Sequence, residues 1–314
     1  MSSPSTTRPI DPRRIAIIGF GEVGPIFARG LIASGRHDVA TYDILLDDRA
    51  PGEAMREKAR AAQVAAAPSA AAAAEGAAII ISAVTAASAR DVAIEAGSYL
   101  RPGQTFLDIN SVAPETKQAN ALAVERAGAY YVEAAVMAPV PPYGIKVPIL
   151  LGGKTAPELA AILTPAGMNL EIGPAEIGRA SAIKMCRSIM IKGVEALAVE
   201  CLLTARHYGV EDRIIASLDQ TFPLDWEKLA GYLIGRTVHH GRRRAAEMRE
   251  VAATVTGAGL APLQSAATAE RQDWVADQAA AAPELRSVKD AEWRQTLDRL
   301  LDRLRAARSS QAAE

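Results

Sequence analysis

Three glycines near the start of the chain have the spacing of a turn that can approach a phosphate group. Gly19, Gly21 and Gly24 form the pattern G-x-G-x-x-G directly after the aliphatic residues 15–18. The first glycine allows a tight bend, the second keeps Cβ away from a pyrophosphate, and the third lets a helix pack closely. The free amides of that helix then face the anion. The pattern predicts a dinucleotide-binding turn formed by Gly19, Phe20, Gly21, Glu22, Val23 and Gly24.

An acidic residue follows this turn at the distance where a ribose hydroxyl is expected. Asp43 ends the second aliphatic run, residues 39–42, and stands nineteen residues after Gly24. A carboxylate at an offset of about 20 residues is typical of proteins that bind the adenosine ribose. Its charge would repel a 2′-phosphate, and no arginine follows it directly. We therefore expect NAD to be preferred over NADP.

Lys184 is the candidate residue for proton transfer. It lies within residues 176–208, which we predict to form one helix of about 30 residues, apolar on nearly every face and therefore buried. A buried lysine beside Arg187 would have a lowered pKa and could exchange a proton with a hydroxyl or carbonyl group. An ion pair with Glu195 or Glu200, or a side chain that reaches solvent at the domain boundary, would explain the same lysine equally well.

A second concentration of charge, HHGRRRAAEM, occupies residues 239–248. It is equally well explained as a solvated helix face, because Glu247 and Glu250 can neutralise it locally. The adjacent histidines project about 100° apart on a helix, and no carboxylate or cysteine stands beside them at ligand spacing. We therefore expect no catalytic metal.

The elements that must position these residues alternate between aliphatic runs and helical segments. The runs are residues 15–18, 39–42, 78–84, 105–109, 129–132 and 148–151. This alternation is typical of a doubly wound α/β sheet, and after residue 173 only helical patterns follow. We predict a Rossmann-type α/β domain followed by an all-α domain, joined by the long helix.

The predicted domain bounds follow from these patterns. Residues 1–13 are expected to be a disordered tail, residues 14–173 a dinucleotide-binding domain, and residues 174–314 a helical domain for substrate binding and dimerisation. The alanine-rich residues 59–78 are expected to be a helix and an exposed loop that act as a spacer.

Composition excludes several classes of function. Lysine and arginine number 35 against 36 aspartate and glutamate, a balance that argues against binding nucleic acid or an anionic membrane in bulk. No apolar run reaches the eighteen or so residues that span a bilayer. Cys186 and Cys201 stand too far apart in one helix to form a disulfide, and the first residues lack the apolar core of a secretory signal. We expect a cytoplasmic protein.

Four blocks of the sequence, in order, resemble the β-hydroxyacid dehydrogenase superfamily, which includes 3-hydroxyisobutyrate dehydrogenase and phosphogluconate dehydrogenase. GFGEVG (19–24) resembles its cofactor turn, and LDINSVAP (107–114) its substrate loop D-x-S-T-x-x-P. EAAVMAP (133–139) resembles D-A-P-V-S-G-G, and GRASAIKMCRS (178–188) resembles the helix G-x-G-x-x-x-K-x-x-N-N. On this resemblance Lys184 is the catalytic lysine.

The same resemblance implies which residues contact the cofactor and the substrate. Asn110 and Ser111 stand where the family has Ser and Thr, which preserves hydrogen bonding near the substrate and the nicotinamide. Val84 and Thr85, at the end of the third aliphatic run, are further expected cofactor contacts together with Asn110.

The substrate-binding blocks also differ from the family. Met137, Ala138 and Pro139 replace the Ser-Gly-Gly whose hydroxyl and backbone amides hold the substrate carboxylate in the family. Arg187 and Ser188 replace the two asparagines of the helix. Because a guanidinium can hold a carboxylate with two hydrogen bonds, Arg187 is expected to replace the lost anchoring of a substrate acid.

The basic segment resembles a subgroup whose small C-terminal domain, similar to that of phosphogluconate dehydrogenase, carries H-x-x-R-R-x-A-E-M. His240 and Arg243 match that pattern with a one-residue difference in spacing. In phosphogluconate dehydrogenase, a basic segment of the partner subunit closes over the anionic substrate. The resemblance therefore implies a homodimer with C-terminal helices at its interface.

These observations favour hydride transfer between NAD and a small β-hydroxy acid, with Lys184 as general acid and base. Imine reduction on the same scaffold is a second interpretation, although imine reductases usually lack the lysine. A non-catalytic dinucleotide-binding sensor is the third, because the substrate blocks are altered.

Overall fold

A computed structural model describes residues 10–35 and 38–311 of the chain. Within them, eight strands form one sheet in the order β3-β2-β1-β4-β5-β6-β7-β8, parallel throughout except for the β6–β7 pair. Their bounds are β1 Asp11–Ile18, β2 Asp38–Tyr42, β3 Ala65–Ala66, β4 Ala77–Ser82, β5 Thr105–Asp108, β6 Tyr130–Val136, β7 Pro148–Gly152 and β8 Asn169–Ile172. This confirms the predicted doubly wound α/β fold.

Helices pack on both faces of this sheet and bury its aliphatic side chains. They are α1 Val23–Ala33, α2 Arg49–Ala61, α3 Ala70–Ala74, α4 Ala89–Tyr99, α5 Pro114–Glu125, α6 Val140–Tyr143 and α7 Ala156–Leu163. Ile15 and Ile17 of β1 belong to one apolar core, whereas Ala16 and Ile18 belong to the core on the other face. This alternation follows from the two-residue period of a strand.

The chain divides into two compact units between Met185 and Cys186. The helix α8, Arg179–Tyr208, crosses this division, and the second unit continues as α9 Glu211–Thr221, α10 Trp226–Gly257, α11 Leu263–Ala281 and α12 Trp293–Gln311. The predicted all-α character of the C-terminal region is confirmed. Its core contains the fully buried side chains of Val199, Val275 and Leu297.

Two predictions about the first unit are wrong in detail. The first strand begins at Asp11, whose amide donates a 2.8 Å hydrogen bond to the carbonyl of Gly76, so residues 11–13 do not belong to a tail. The remaining residues of the predicted tail before residue 10 lie outside the described residues. The alanine-rich stretch is not a spacer, because it contains β3, α3 and the start of β4 and buries Ala73 completely.

The prediction that the long helix is apolar on nearly every face and therefore buried is also wrong in detail. It begins at Arg179, three residues later than expected, and Met190 and Leu197 are 67% and 63% exposed. Among the described residues, no helix is long and apolar enough to cross a membrane.

Candidate active site

The glycine turn connects β1 to α1 and leaves room beside its second glycine. Gly19 has a φ of +92°, and a Cβ there would lie 2.5 Å from the carbonyl oxygen of Ala83. A Cβ on Gly24 would lie 2.6 Å from the carbonyl oxygen of Gly19, whereas a Cβ on Gly21 would meet nothing within 4 Å. Packing within the protein therefore requires two of the glycines, and the third borders open space of the kind that a pyrophosphate needs.

Asp43 holds the glycine turn from the end of β2. Its Oδ2 accepts a 2.6 Å hydrogen bond from the amide of Phe20, and its Oδ1 accepts one of 3.0 Å from Leu45. A carboxylate has about four lone-pair sites, so these bonds leave acceptor capacity for ribose hydroxyls. The arrangement fits the dinucleotide that the sequence predicts.

Lys58 is a cation near the turn that the sequence did not reveal. From α2, its Nζ donates a hydrogen bond to the carbonyl of Gly21. No local motif marks this lysine, because its position depends on how α2 folds back toward β1. It adds a positive charge beside the open space at Gly21.

Asn110 joins the ends of two parallel strands. Its Oδ1 accepts a 2.8 Å hydrogen bond from the amide of Val84, and its Nδ2 donates to Ser82 Oγ at 2.9 Å and to Asp108 Oδ1 at 2.7 Å. The predicted residues Val84 and Asn110 are thus in direct contact, and Ser111 follows in the chain as a partly exposed residue. Thr85 pairs its hydroxyl with that of Ser88 at 3.0 Å.

A buried polar network beneath Asn110 was not predicted as such. Asp108 Oδ1 lies 2.8 Å from Lys117 Nζ, and both side chains are fully buried. Tyr131 donates its hydroxyl to Asp108 Oδ2 at 2.7 Å, and Asn120 Nδ2 donates to the same oxygen at 3.1 Å. Burial alone would raise the pKa of the Asp108 carboxyl, but Lys117 and the hydrogen bonds outweigh it and hold that pKa below its usual value.

A buried carboxylate fixes the start of the helix that carries Lys184. Glu133 of β6 accepts hydrogen bonds from the amides of Gly178, Ala180 and Ser181 at 2.7, 3.2 and 3.2 Å, and from the Ser181 hydroxyl at 2.7 Å. These are the donors that a helix leaves unpaired at its first turn, and the negative charge complements the helix dipole. Lys184, one turn further along, is partly exposed rather than buried as predicted.

Met137 and Ala138, which stand at the first two positions of the family's Ser-Gly-Gly, are partly buried. The Met137 amide donates a 2.9 Å hydrogen bond to the carbonyl of Pro148, so it is already in use within the protein. Its side chain packs in a small apolar cluster with Ala180 of α8, and Ala138 packs against the first core.

In the second unit, a buried ion pair connects two of the predicted substrate residues. Lys192 Nζ lies 3.4 Å from Ser188 Oγ and 2.7 Å from Glu247 Oε2, and Arg243 pairs with the other oxygen of Glu247 at 2.9 Å. Lys192 is the buried lysine of α8, and burial lowers its pKa although Glu247 opposes the shift. Predicting it from sequence would have required knowing which face of α8 turns inward.

The two glutamates of α8 pair with arginines of α10 and α11. Glu195 is buried with Arg244, and Glu200 pairs with Arg271 at 2.6 Å, so each glutamate considered for Lys184 has an arginine partner. Arg187 is exposed, and the ring of the half-buried His240 lies 6.2 Å from that of His239. In the described part of the chain, no three His, Cys, Asp or Glu side chains come together as a metal site.

Comparison with known proteins finds two matching family models and several similar solved structures. Residues 14–111 match the family described as NADP oxidoreductase, coenzyme F420-dependent, and residues 205–275 match a domain of unknown function, DUF1932. A conserved hypothetical protein from Sinorhizobium meliloti 1021 is 39% identical over 95% of this chain and 97% of its own, with a TM-score of 0.73.

Two further structures extend the comparison. The conserved protein MTH1747, described as structurally similar to 3-hydroxyacid dehydrogenases, is 32% identical over 84% of this chain and 97% of its own, with a TM-score of 0.66. A 3-hydroxyisobutyrate dehydrogenase from Mycobacterium tuberculosis, solved with L-serine, is 19% identical over 91% of this chain and 99% of its own, with a TM-score of 0.67.

The fold, the glycine turn and these matches define an NAD(P)-dependent oxidoreductase with a Rossmann-type domain. More narrowly, the chain belongs to the β-hydroxyacid dehydrogenase-like superfamily.

Proposed function

We propose that the protein transfers a hydride between NAD and a small β-hydroxy acid, with Lys184 as general acid and base. Supporting this proposal, the glycine turn, Val84, Asn110 and Met137 all follow the carboxyl ends of parallel strands β1, β4, β5 and β6. Ligands of doubly wound sheets bind at this edge, where β1 and β4 form the point at which the strand order reverses.

In this proposal the residues divide the work between the two halves of the reaction. The bound nicotinamide would accept or return the hydride. Lys184 Nζ takes the proton of the substrate hydroxyl during oxidation and returns it during reduction. Asn110 and Val84, with the neighbouring Thr85 and Ser111, border the cofactor and the reacting carbon.

NAD is the proposed cofactor, because Asp43 follows β2 at the offset expected for a ribose-binding carboxylate, whose charge would repel a 2′-phosphate. In this proposal residues 14–173 bind the dinucleotide, whereas residues 174–314 bind substrate and form a homodimer through C-terminal helices. Arg187 holds the substrate carboxylate, with Ser188, His240 and Arg243 also near the anion. Met137 and Ala138 shape the pocket through side chains, since the Met137 amide is in use. The proposed location is the cytoplasm.

The test combines a cofactor and substrate screen with one lysine variant. Purified protein is assayed with NAD, NADP and coenzyme F420 against small β-hydroxy acids, including L-serine, and against imines. We expect turnover with NAD, and we expect Lys184→Ala to lose at least about 100-fold in kcat, as is typical for loss of a general base. Lys154→Ala, at an exposed lysine of the same unit, is the matched control.

Each outcome of this screen separates the candidate functions. Turnover that survives Lys184→Ala would exclude the proposed mechanism. Reduction of imines without oxidation of any hydroxy acid would favour an imine reductase, and cofactor binding without turnover would favour a sensor. An Arg187→Ala enzyme with unchanged KM for the acid would remove Arg187 from substrate binding.

A further inference from the structure

One face of α8 in the second unit is exposed and apolar along several turns. We call Cys186, Met190, Leu197 and Cys201 the α8 stripe; both cysteines are exposed, and Met190 and Leu197 are more than three-fifths exposed. At 100° per residue these four side chains lie within about 60° of one another around the helix. The opposite face carries residues that are buried in the second unit, namely Ser188, Lys192, Glu195, Val199 and Leu202.

A single exposed leucine needs no explanation, but a row of side chains at three- and four-residue spacing is the pattern of a helix that packs against another helix. Gly193 stands in the middle of this row. A Cβ built on Gly193 would meet only Thr268 Oγ1 of α11, at 4.0 Å, so the second unit does not crowd the helix backbone at this partly buried residue. Small residues at a crossing point allow short distances between helix axes.

The residues of the α8 stripe are spaced symmetrically about the midpoint between Gly193 and Val194, with apolar side chains at matching positions. Met190 and Leu197 are equidistant from that point, and so are Cys186 and Cys201. An antiparallel copy of the helix, related by a two-fold axis at this midpoint, places Met190 of one copy opposite Leu197 of the other. In the same way, Cys186 of each copy lies opposite Cys201 of the other. A two-fold interface requires this self-complementarity.

The charges beside the stripe favour the same arrangement. Arg187 and Glu200 are equidistant from the midpoint, so Arg187 of one copy lies near Glu200 of the other. Both residues are exposed, and Glu200 keeps lone pairs free beyond its 2.6 Å bond to Arg271. A parallel pair would instead place Arg187 beside its own copy, and like charges repel.

We propose that a second copy of this chain covers the α8 stripe, with the two α8 helices antiparallel and crossing at Gly193 and Val194. This names the helix and the register of the homodimer in the proposed function, and it rests on that dimer but not on the hydride transfer. It assigns the Arg187 guanidinium to Glu200 of the second copy, in competition with the substrate carboxylate of the proposed function.

The native cysteines test the register. Diamide takes two electrons and two protons from two thiols and leaves one disulfide. Because burial raises the pKa of the Cys201 thiol, the reaction is run at about pH 9, near the ordinary cysteine pKa. We expect a covalent dimer on a non-reducing gel, and mass spectrometry of its peptides should show the Cys186–Cys201 link.

Single-cysteine variants are the matched controls. In the proposed register, like cysteines lie roughly 22 Å apart along the helix axis, far beyond the roughly 7 Å between Cα atoms that a disulfide allows. Cys186→Ser and Cys201→Ser should therefore both fail to cross-link. Cross-linking of either single variant, or a native dimer without the mixed link, would overturn the register and leave the proposed homodimer intact.

Exchanging the charges of Arg187 and Glu200 tests their proposed pairing without a cross-linking reaction. Arg187→Glu should raise the dimer dissociation constant at least tenfold, and Arg187→Glu with Glu200→Arg should restore it, whereas Arg213→Glu on another exposed surface should not change it. Light scattering across a dilution series reads the mass. A monomer at all concentrations would overturn both dimer and register, and failed restoration would overturn the register. KM for the acid in Arg187→Glu separately reports substrate anchoring.

Discussion

At the scale of single residues, the candidate site depends on polar side chains that hold neighbouring loops of the protein in place. Asp43 holds the Phe20 amide and also stands where the ribose is expected. Asn110 uses its whole side-chain amide to connect β4 and β5. Such residues are rigid before a ligand arrives, which lowers the entropic cost of binding.

Replacement of Asp43 tests its double role. Asp43→Ala removes one hydrogen bond from the turn and the proposed acceptors for the ribose, and hydrogen bonds to charged groups contribute about 1.5 to 3 kcal/mol each. We expect KM for NAD to rise at least about tenfold, with NADP affected less because the repulsion of its 2′-phosphate is lost. Steady-state kinetics with both cofactors measure this, and the exposed Asp48→Ala is the control. An unchanged ratio of the two KM values would contradict the proposed preference.

The buried carboxylate of Asp108 predicts that the free energy of unfolding falls in acid. Its pKa is lowered in the folded protein, so its contribution is present above the ordinary aspartate pKa of about 3.9 and is lost as the pH falls through the folded-state pKa. We expect the free energy of unfolding to decrease below about pH 4, and to decrease less in Asp108→Asn. Urea unfolding at a series of pH values measures both, with the exposed Asp91→Asn as the control. An identical pH dependence in Asp108→Asn and wild type would contradict this.

At the scale of elements, the helix α8 connects the proposed general acid and base to the sheet. Glu133 in β6 binds its first turn through four hydrogen bonds, and the helix then passes Lys184 and crosses into the second unit. The sheet therefore fixes the start of the helix on which Lys184 follows one turn later.

Loss of the Glu133 charge should affect the chemical step more than cofactor binding. Glu133→Gln replaces one acceptor oxygen with an amide group that faces backbone N–H donors, so the start of α8 should fray. We expect kcat to fall at least about tenfold, because small displacements of a catalytic group are costly, while KM for NAD stays within about twofold. Kinetics of Glu133→Gln against the exposed Glu125→Gln test this. A raised KM for NAD with normal kcat would refute the positioning role.

At the scale of the whole molecule, each unit combines an apolar core with a buried ion pair. The first buries aliphatic strands between helices and pairs Asp108 with Lys117, whereas the second pairs Glu195 with Arg244 within a helical core. All three tryptophans, Trp226, Trp274 and Trp293, belong to the second unit. Their fluorescence therefore reports the second unit selectively.

This allows the buried pair to be tested. Arg244→Met leaves the Glu195 carboxylate buried without its main partner, which typically costs about 3 to 5 kcal/mol. We expect the urea midpoint seen by tryptophan fluorescence to fall accordingly, whereas Arg242→Met, at an exposed arginine two residues away, should change the free energy of unfolding by less than about 1 kcal/mol. Equal effects of the two variants would show that burial does not decide the cost.

Local pattern determined much of this protein. Hydrophobic period and turn chemistry are properties of short segments, so the sequence alone specified the glycine turn, six of the strands and the helices after residue 173. The strands β3 and β8 were missed because each is short and mostly exposed.

Tertiary structure decided which side chains are buried and what they contact. The interpretation of α8 as buried failed because its apolar residues are spread around the helix, and the second unit covers one face of it. The buried lysine of α8 proved to be Lys192. The start of α8 is bound by Glu133, which is 45 residues away from Gly178 in sequence. Such contacts join distant segments, and a local pattern carries no record of them.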